Sequence, residues 1–200
     1  MSLQLSLLGD APIQLKRPTE PILRTALIEG NYRRWLKRQW GPGPCIGWGM
    51  LNPSDASGLK DDPTLWRIMG FSLRWGFGSL VVGNLYPFIS ASPAAMHRWR
   101  TSFAEDTEVF DLSARDSWIR NMYDCAELFR PCEMVVAAWG NGADRDDMER
   151  WLDIVEGELG GGRAWHCLGT TNSGAPKHPL ARGLHRVSDD QKPLIWRAAA

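Results

Sequence analysis

The chain is expected to fold as an α/β three-layer sandwich around a four-stranded, mainly parallel central sheet, and three observations lead there. Short apolar runs of strand length alternate with longer stretches of helical periodicity, helix-start residues stand directly ahead of those stretches, and Gly or Pro breaks separate them. Two hundred residues, 44% hydrophobic and 23% charged, supply one such core. That balance excludes a disordered chain or a disulfide-stapled miniprotein.

Residues 1–30 form an N-terminal extension, hairpin or irregular, in which 3–8 and 13–16 flank a Gly9–Pro12 turn and 21–29 make a strand or a lead-in. Residues 31–200 form a single α/β domain. Its first segment, NYRRWLKRQW (31–40), ends at GPGP, which continues neither a helix nor a central strand. Residues 45–51 (CIGWGML) are the first buried strand. A helix follows, with Asp62 able to cap it, Pro63 suited to its first turn, and Leu65, Ile68, Met69, Leu73 and Phe77 near helical spacing. Residues 79–85 (SLVVGNL) make the second strand, and a helix starts near Pro93. Helical periodicity over 111–129 stops at Pro131, and 134–139 (MVVAAW) is the third strand. An amphipathic helix over 144–158 ends at three glycines, 164–168 is the fourth strand, and 170–183 is a loop.

Lys plus Arg and Asp plus Glu both number 23, so bulk charge cannot hold this chain on DNA, and a nucleic-acid contact needs a local patch. No apolar run approaches the roughly 20 residues of a membrane-spanning helix. The N-terminus lacks the pattern of a secretion signal, so a soluble, cytoplasmic protein with no membrane contact is expected. Cys45, Cys125, Cys132 and Cys167 show no paired spacing and are expected as free thiols. Neither a GxGxxG nor a GxxxxGK[ST] loop is present, His97, His166 and His185 have no metal-ligand spacing, and no cofactor or metal is expected. The Arg33, Arg34, Lys37, Arg38 cluster reads as a solvated face, or as a phosphate-contacting patch with Trp35 and Trp40 interleaved.

In a parallel sheet ligands bind at the carboxyl ends of the strands, and the unusual polar residues gather there: MLNPS, NLYPF, WGNGA and TNSGAPKHPL each follow a strand. MLNPSDASG, the DDPT segment, VVAAWGNGA and GAPKHPLARG, in that order, resemble the bacterial and phage family known as domain of unknown function 1643, over about residues 30–185. A more distant resemblance is to the uracil-DNA glycosylase superfamily. GMLNPS (49–54) is similar to its GMNPG or GINPG motif, Asn84 falls where its strand-two Asn reads the flipped base, and His178-Pro179 is similar to its HPS motif. That resemblance implies a uracil-DNA glycosylase-like fold, Asn52 as the residue positioning water and His178 as the donor to the departing base. Ser54 in place of Gly and Leu180 in place of Ser depart from those motifs.

The chemistry suits these residue types. Cleaving an N-glycosidic bond generates an oxocarbenium-like sugar and an anionic base, which calls for a hydrogen-bond donor and a placed water. The expected function is therefore an N-glycosidic hydrolase acting on a uracil-type or modified pyrimidine, with DNA or a nucleotide as partner. The alternatives are a non-catalytic reader of modified bases and a carboxylate- or metal-dependent enzyme on a nucleotide-like ligand. Candidate catalytic residues are Asn52, His178, Asp61 and Asp62; either carboxylate could serve as a general base or bind a divalent cation, with the helix cap the favoured reading of Asp62 and Asp61 the freer of the two. Candidate binding residues are Met50, Leu51, Pro53, Ser54, Asp55, Asn84, Tyr86, Asn141, Lys177 and Arg182.

Overall fold

Strand β3 (Cys45–Met50) places Ile46, Trp48 and Met50 on one face of the sheet and only Gly47 and Gly49 between them. Strand β4 (Ser79–Asn84) repeats the device with Gly83. A Cβ at Gly47 would come within 2.6 Å of the Phe129 ring, and one at Gly83 within 2.8 Å of the Cys125 sulfur. The glycines therefore let a helix sit closer to the sheet than any larger residue permits.

Residues 23–54, 60–104 and 110–199 are described by the computed structural model. The expected hairpin over 3–16 and the candidate Asp55 lie outside them. The remaining elements are β1 (Leu23–Glu29), β2 (Tyr32–Gln39), α1 (Pro63–Arg74), α2 (Pro93–Thr101), α3 (Leu112–Phe129), β5 (Met134–Ala137), α4 (Arg145–Glu158), β6 (Trp165–Cys167) and β7 (Leu194–Arg197). One sheet runs in the order β1-β2-β4-β3-β5-β6-β7. β4, β3, β5 and β6 pair in parallel, whereas β1 with β2, β2 with β4 and β6 with β7 pair antiparallel. The fold is thus mixed α/β with a seven-stranded sheet, and the expectation of a four-stranded sheet is corrected. Residues 23–29, assigned from sequence to the N-terminal extension, are a strand of this sheet.

Helices cover both faces. α1 packs Leu65, Ile68, Met69 and Phe71 on Ile46, Trp48, Leu80, Val82 and Val136. α2, α3 and α4 pack on the opposite face through Trp99, Trp118, Met122, Phe129, Trp151 and Val155, against Val81, Val135, Ala137 and Trp165. Each helix starts on a side-chain cap: Asp62, Ser92, Asp111 and Asp144 accept from backbone N–H groups of the first turn. The four cysteines are free thiols, with Cys45 and Cys132 sulfurs 3.6 Å apart. Among the described residues no helix is long and apolar enough to cross a membrane.

The cationic strand departs most from its sequence reading. Arg33, Arg34 and Arg38 are 4%, 4% and 0% exposed, so β2 is not a solvated face. Arg34 donates to Glu29 and to the Ser117 carbonyl on α3, while Arg38 donates to Asp61 at 2.7 Å on the α1 side. Arg24 pairs with the other Asp61 oxygen at 3.2 Å. Asp61 is therefore a structural counter-ion, because a buried guanidinium needs a carboxylate within contact distance.

Asp61→Asn is expected to lower stability in urea denaturation by about 3–5 kcal/mol, since it leaves Arg38 buried without a full counter-charge. A loss under ~0.5 kcal/mol would show that the arginine is matched elsewhere.

Candidate functional site

The sheet reverses its winding between β3 and β5. From β3 the chain crosses the α1 face to β4, whereas from β5 it crosses the opposite face through α4 to β6. The two connections leave in opposite directions and open a crevice at the carboxyl ends of these strands. A cavity of about 280 Å³ occupies it, lined by Arg33, Leu36, Met50, Leu51, Asn52, Ser54, Asp62, Thr64, Leu65, Ile68, Val82, Asn84, Ser90, Ala91, Trp139 and His178. Apolar side chains make up half of the lining, and eight side chains bring polar chemistry: Arg33, Asn52, Ser54, Asp62, Thr64, Asn84, Ser90 and His178.

Asn52 follows β3 in a turn whose carbonyls converge on its side chain. One amide atom lies 2.7 Å from the Ser90 oxygen, 3.1 Å from the Pro53 oxygen and 3.4 Å from the Phe88 oxygen. An atom among three carbonyl acceptors is the NH2, so the amide orientation is fixed. The Asn52 oxygen is left as an acceptor with no protein donor among the described residues.

Asn84 ends β4 at 1% exposure. Its oxygen accepts from the Arg33 guanidinium at 3.1 Å. Arginine only donates, so this amide is oriented too, and its NH2 is buried with no acceptor among the described residues. Arg33 itself is held on β2 beneath the cavity. Burial lowers its pKa to about 10, the Asp62 charge partly offsets this, and the group remains a cation at neutral pH.

His178 arrives on the loop after β6. The Leu180 N–H donates to its Nδ1 at 3.1 Å. A backbone N–H requires a lone pair, so the proton of the neutral ring sits on Nε2. Burial pushes its pKa down, and Asp62 pulls it part of the way back. The cavity thus holds a neutral imidazole with one ring N–H to give. Gly140 lies beside it at φ +73°, a conformation that favours glycine.

Asp62 is the helix cap, accepting from Leu65 N at 2.7 Å, and its second oxygen accepts from Ser54 Oγ at 2.6 Å. It nevertheless lines the cavity, so the cap and the site share one carboxylate.

The structure brings together Asn52, Asn84, His178, Asp62, Ser54, Met50 and Leu51, and separates the other candidates. Asp61 sits between Arg24 and Arg38, away from the cavity lining. Pro53 is buried beneath the turn and contributes its carbonyl. Tyr86 is a correction: β4 ends at Asn84, the chain turns, and the Tyr86 hydroxyl donates to Asp147 at 2.8 Å within the α3/α4 core. Asn141 lies in a second cavity. Lys177 packs over Gly169, and Arg182 precedes a short 3₁₀ turn; neither lines the first cavity. Thr64, Ser90 and Trp139 line the cavity without having been singled out as site candidates, and Arg33, read from sequence as part of a solvated face or a phosphate-contacting patch, is buried beside Asn84.

Because the folded His178 pKa is depressed, its contribution to stability is complete above the ordinary value of about 6.5 and is lost as pH falls through the folded value. The NMR titration midpoint of the ring is expected below about 6.5, and lower still in Asp62→Asn, which keeps a capping side chain but removes the charge. A midpoint at or above the ordinary value would contradict a buried neutral ring.

No curated protein and no solved structure is significantly similar to the chain. A family model does match, that of the protein of unknown function DUF1643, over residues 33–180. The span runs from the buried Arg33 to the His178 loop and contains every residue that lines the cavity. The chain belongs to the DUF1643 family.

Proposed function

We propose that the cavity is the active site of an N-glycosidic hydrolase acting on a uracil-type or modified pyrimidine in nucleic acid or a nucleotide. The observation that carries this reading is the fixed polarity of three side chains in one pocket: an acceptor oxygen on Asn52, a donor NH2 on Asn84 and a donor Nε2–H on His178. The order GMLNPS, Asn84 and KHPL, which resembles the uracil-DNA glycosylase motifs, supports the same assignment.

In this reaction the bond from the sugar C1′ to the base nitrogen breaks and its electron pair leaves with the base. His178 donates from Nε2 to the base oxygen on which that charge develops, and a neutral donor does this without protonating the ground state. The Asn52 oxygen accepts from water and aims it at C1′; an amide cannot take the water's proton, which passes to the released base anion or to bulk water as the C1′–O bond forms, so positioning dominates the catalysis. The Asp62 carboxylate supplies negative charge toward the oxocarbenium sugar. Asn84 holds the base by one of its carbonyl oxygens.

The test is mass-spectrometric detection of free base released from oligonucleotides and nucleosides carrying uracil or 5-hydroxymethyluracil. The wild type is expected to release base, and His178→Ala to do so about 10²–10³-fold more slowly, in line with loss of one donor at a developing oxyanion. Asn52→Ala is expected to lower the rate without weakening binding. Binding with no release from any substrate would leave the pocket as a reader of bases.

Arg33 adds a specificity prediction. By occupying the Asn84 oxygen it leaves only a donor for the ligand, which favours a carbonyl over an amino group at that position of the ring. Calorimetry is expected to show uridine bound about tenfold more tightly than cytidine, and the preference to shrink in Arg33→Met but persist in Arg33→Lys. Equal affinities in the wild type would contradict the role given to Arg33.

A further inference from the structure

A second cavity, of about 470 Å³, adjoins the first, with Trp139, Asn141, Arg145, Glu149 and Trp196 in its lining. The two share a wall. Trp139 borders both, and the 3₁₀ turn Gly140–Gly142 divides them, since Gly140 faces His178 and Gly142 faces Leu51 of the first cavity. The loop after β6 also runs from one to the other, with Gly174 and Ala175 in the second cavity and His178 in the first.

The contents of this cavity suit one class of ligand. Trp196 packs edge-on against Trp139 at 5.2 Å, and its indole N–H donates to the Gly174 carbonyl, so the ring is held in place while remaining only half-buried. The Trp139 indole N–H is buried without an acceptor, in a residue 2% exposed. Asn141 is pinned by the Thr171 and Ser173 hydroxyls at 2.7 and 3.0 Å. Arg145 has no ion-pair partner among the described residues, whereas Glu149 is neutralised by Arg197 at 3.2 Å. A fixed aromatic face, an unmatched cation and an orphaned donor make a stacking platform with a phosphate contact.

We infer that the second cavity binds the nucleotide next to the target in a single-stranded nucleic acid, its base stacked on Trp196 and its phosphate paired with Arg145. This inference rests on the first cavity being a base site. A base stacked on tryptophan is no longer stacked on its neighbours, so the strand enters unpaired, and the substrate is a polymer in preference to a free nucleoside.

The experiment is equilibrium binding by calorimetry of deoxyuridine and of dinucleotides with thymidine on its 5′ or its 3′ side. One dinucleotide is expected to bind about tenfold more tightly than deoxyuridine, the gain of one base–aromatic stack. Trp196→Ala is expected to abolish the gain and Trp196→Phe to retain most of it, while Arg145→Ala, an exposed helix position, reduces it. Dinucleotides that bind no better than deoxyuridine, or a gain that survives both alanine variants, would overturn the inference and leave the first cavity's role intact. Failure of deoxyuridine and both dinucleotides to bind would overturn both.

Discussion

Two guanidinium groups of β2, Arg33 and Arg38, are held on the α1 side of the sheet almost out of contact with water, and the chain ahead of α1 brings adjacent carboxylates to them. Asp61 contacts Arg38 directly, and Asp62 offsets the cost of burying Arg33 while capping the helix. An unmatched buried cation costs several kcal/mol, so this pairing fixes where α1 begins relative to β2. The position of α1 then sets one wall of the cavity, and Arg33 fixes the orientation of Asn84 in another. Fold and site thus depend on the same charges.

The separation of the two carboxylates has a chemical consequence. Asp61 is fully engaged as a counter-ion, which leaves Asp62 as the cavity's carboxylate, and even that one accepts from a backbone N–H and from Ser54. A carboxylate so engaged is a fixed negative charge more than a mobile base. The pocket combines that charge with a neutral imidazole and two amides of fixed orientation. Such a set is suited to positioning a substrate and stabilising charge, where it develops, with no strong base required.

Much of this was legible in the sequence because it follows local rules. The strands β3 to β6, the helices with the Asp62 cap, and the gathering of Asn52, Asn84 and His178 follow from periodicity, capping chemistry and the rule that ligands sit at strand carboxyl ends. What was not legible depends on distant partners. β2 carries charges that ordinarily mark a surface, and partners remote in sequence, among them Asp61 for Arg38, Ser117 for Arg34 and Asn84 for Arg33, make their burial possible. β7 is a short, largely exposed strand paired to β6 through long-range backbone bonds. Tyr86 has the right parity for the cavity on paper, but the strand stops two residues earlier and the turn sends it to the opposite face.

The most direct measurement is the ¹H–¹⁵N spectrum of the side-chain amides and histidine rings as uracil is added. Base bound by fixed donors would shift the Asn84 NH2 and the His178 Nε2–H together, while Asn141 in the second cavity stayed unmoved. Shifts confined to residues outside the first cavity, or none at saturating uracil, would contradict a base-binding site at the β3/β5 crevice.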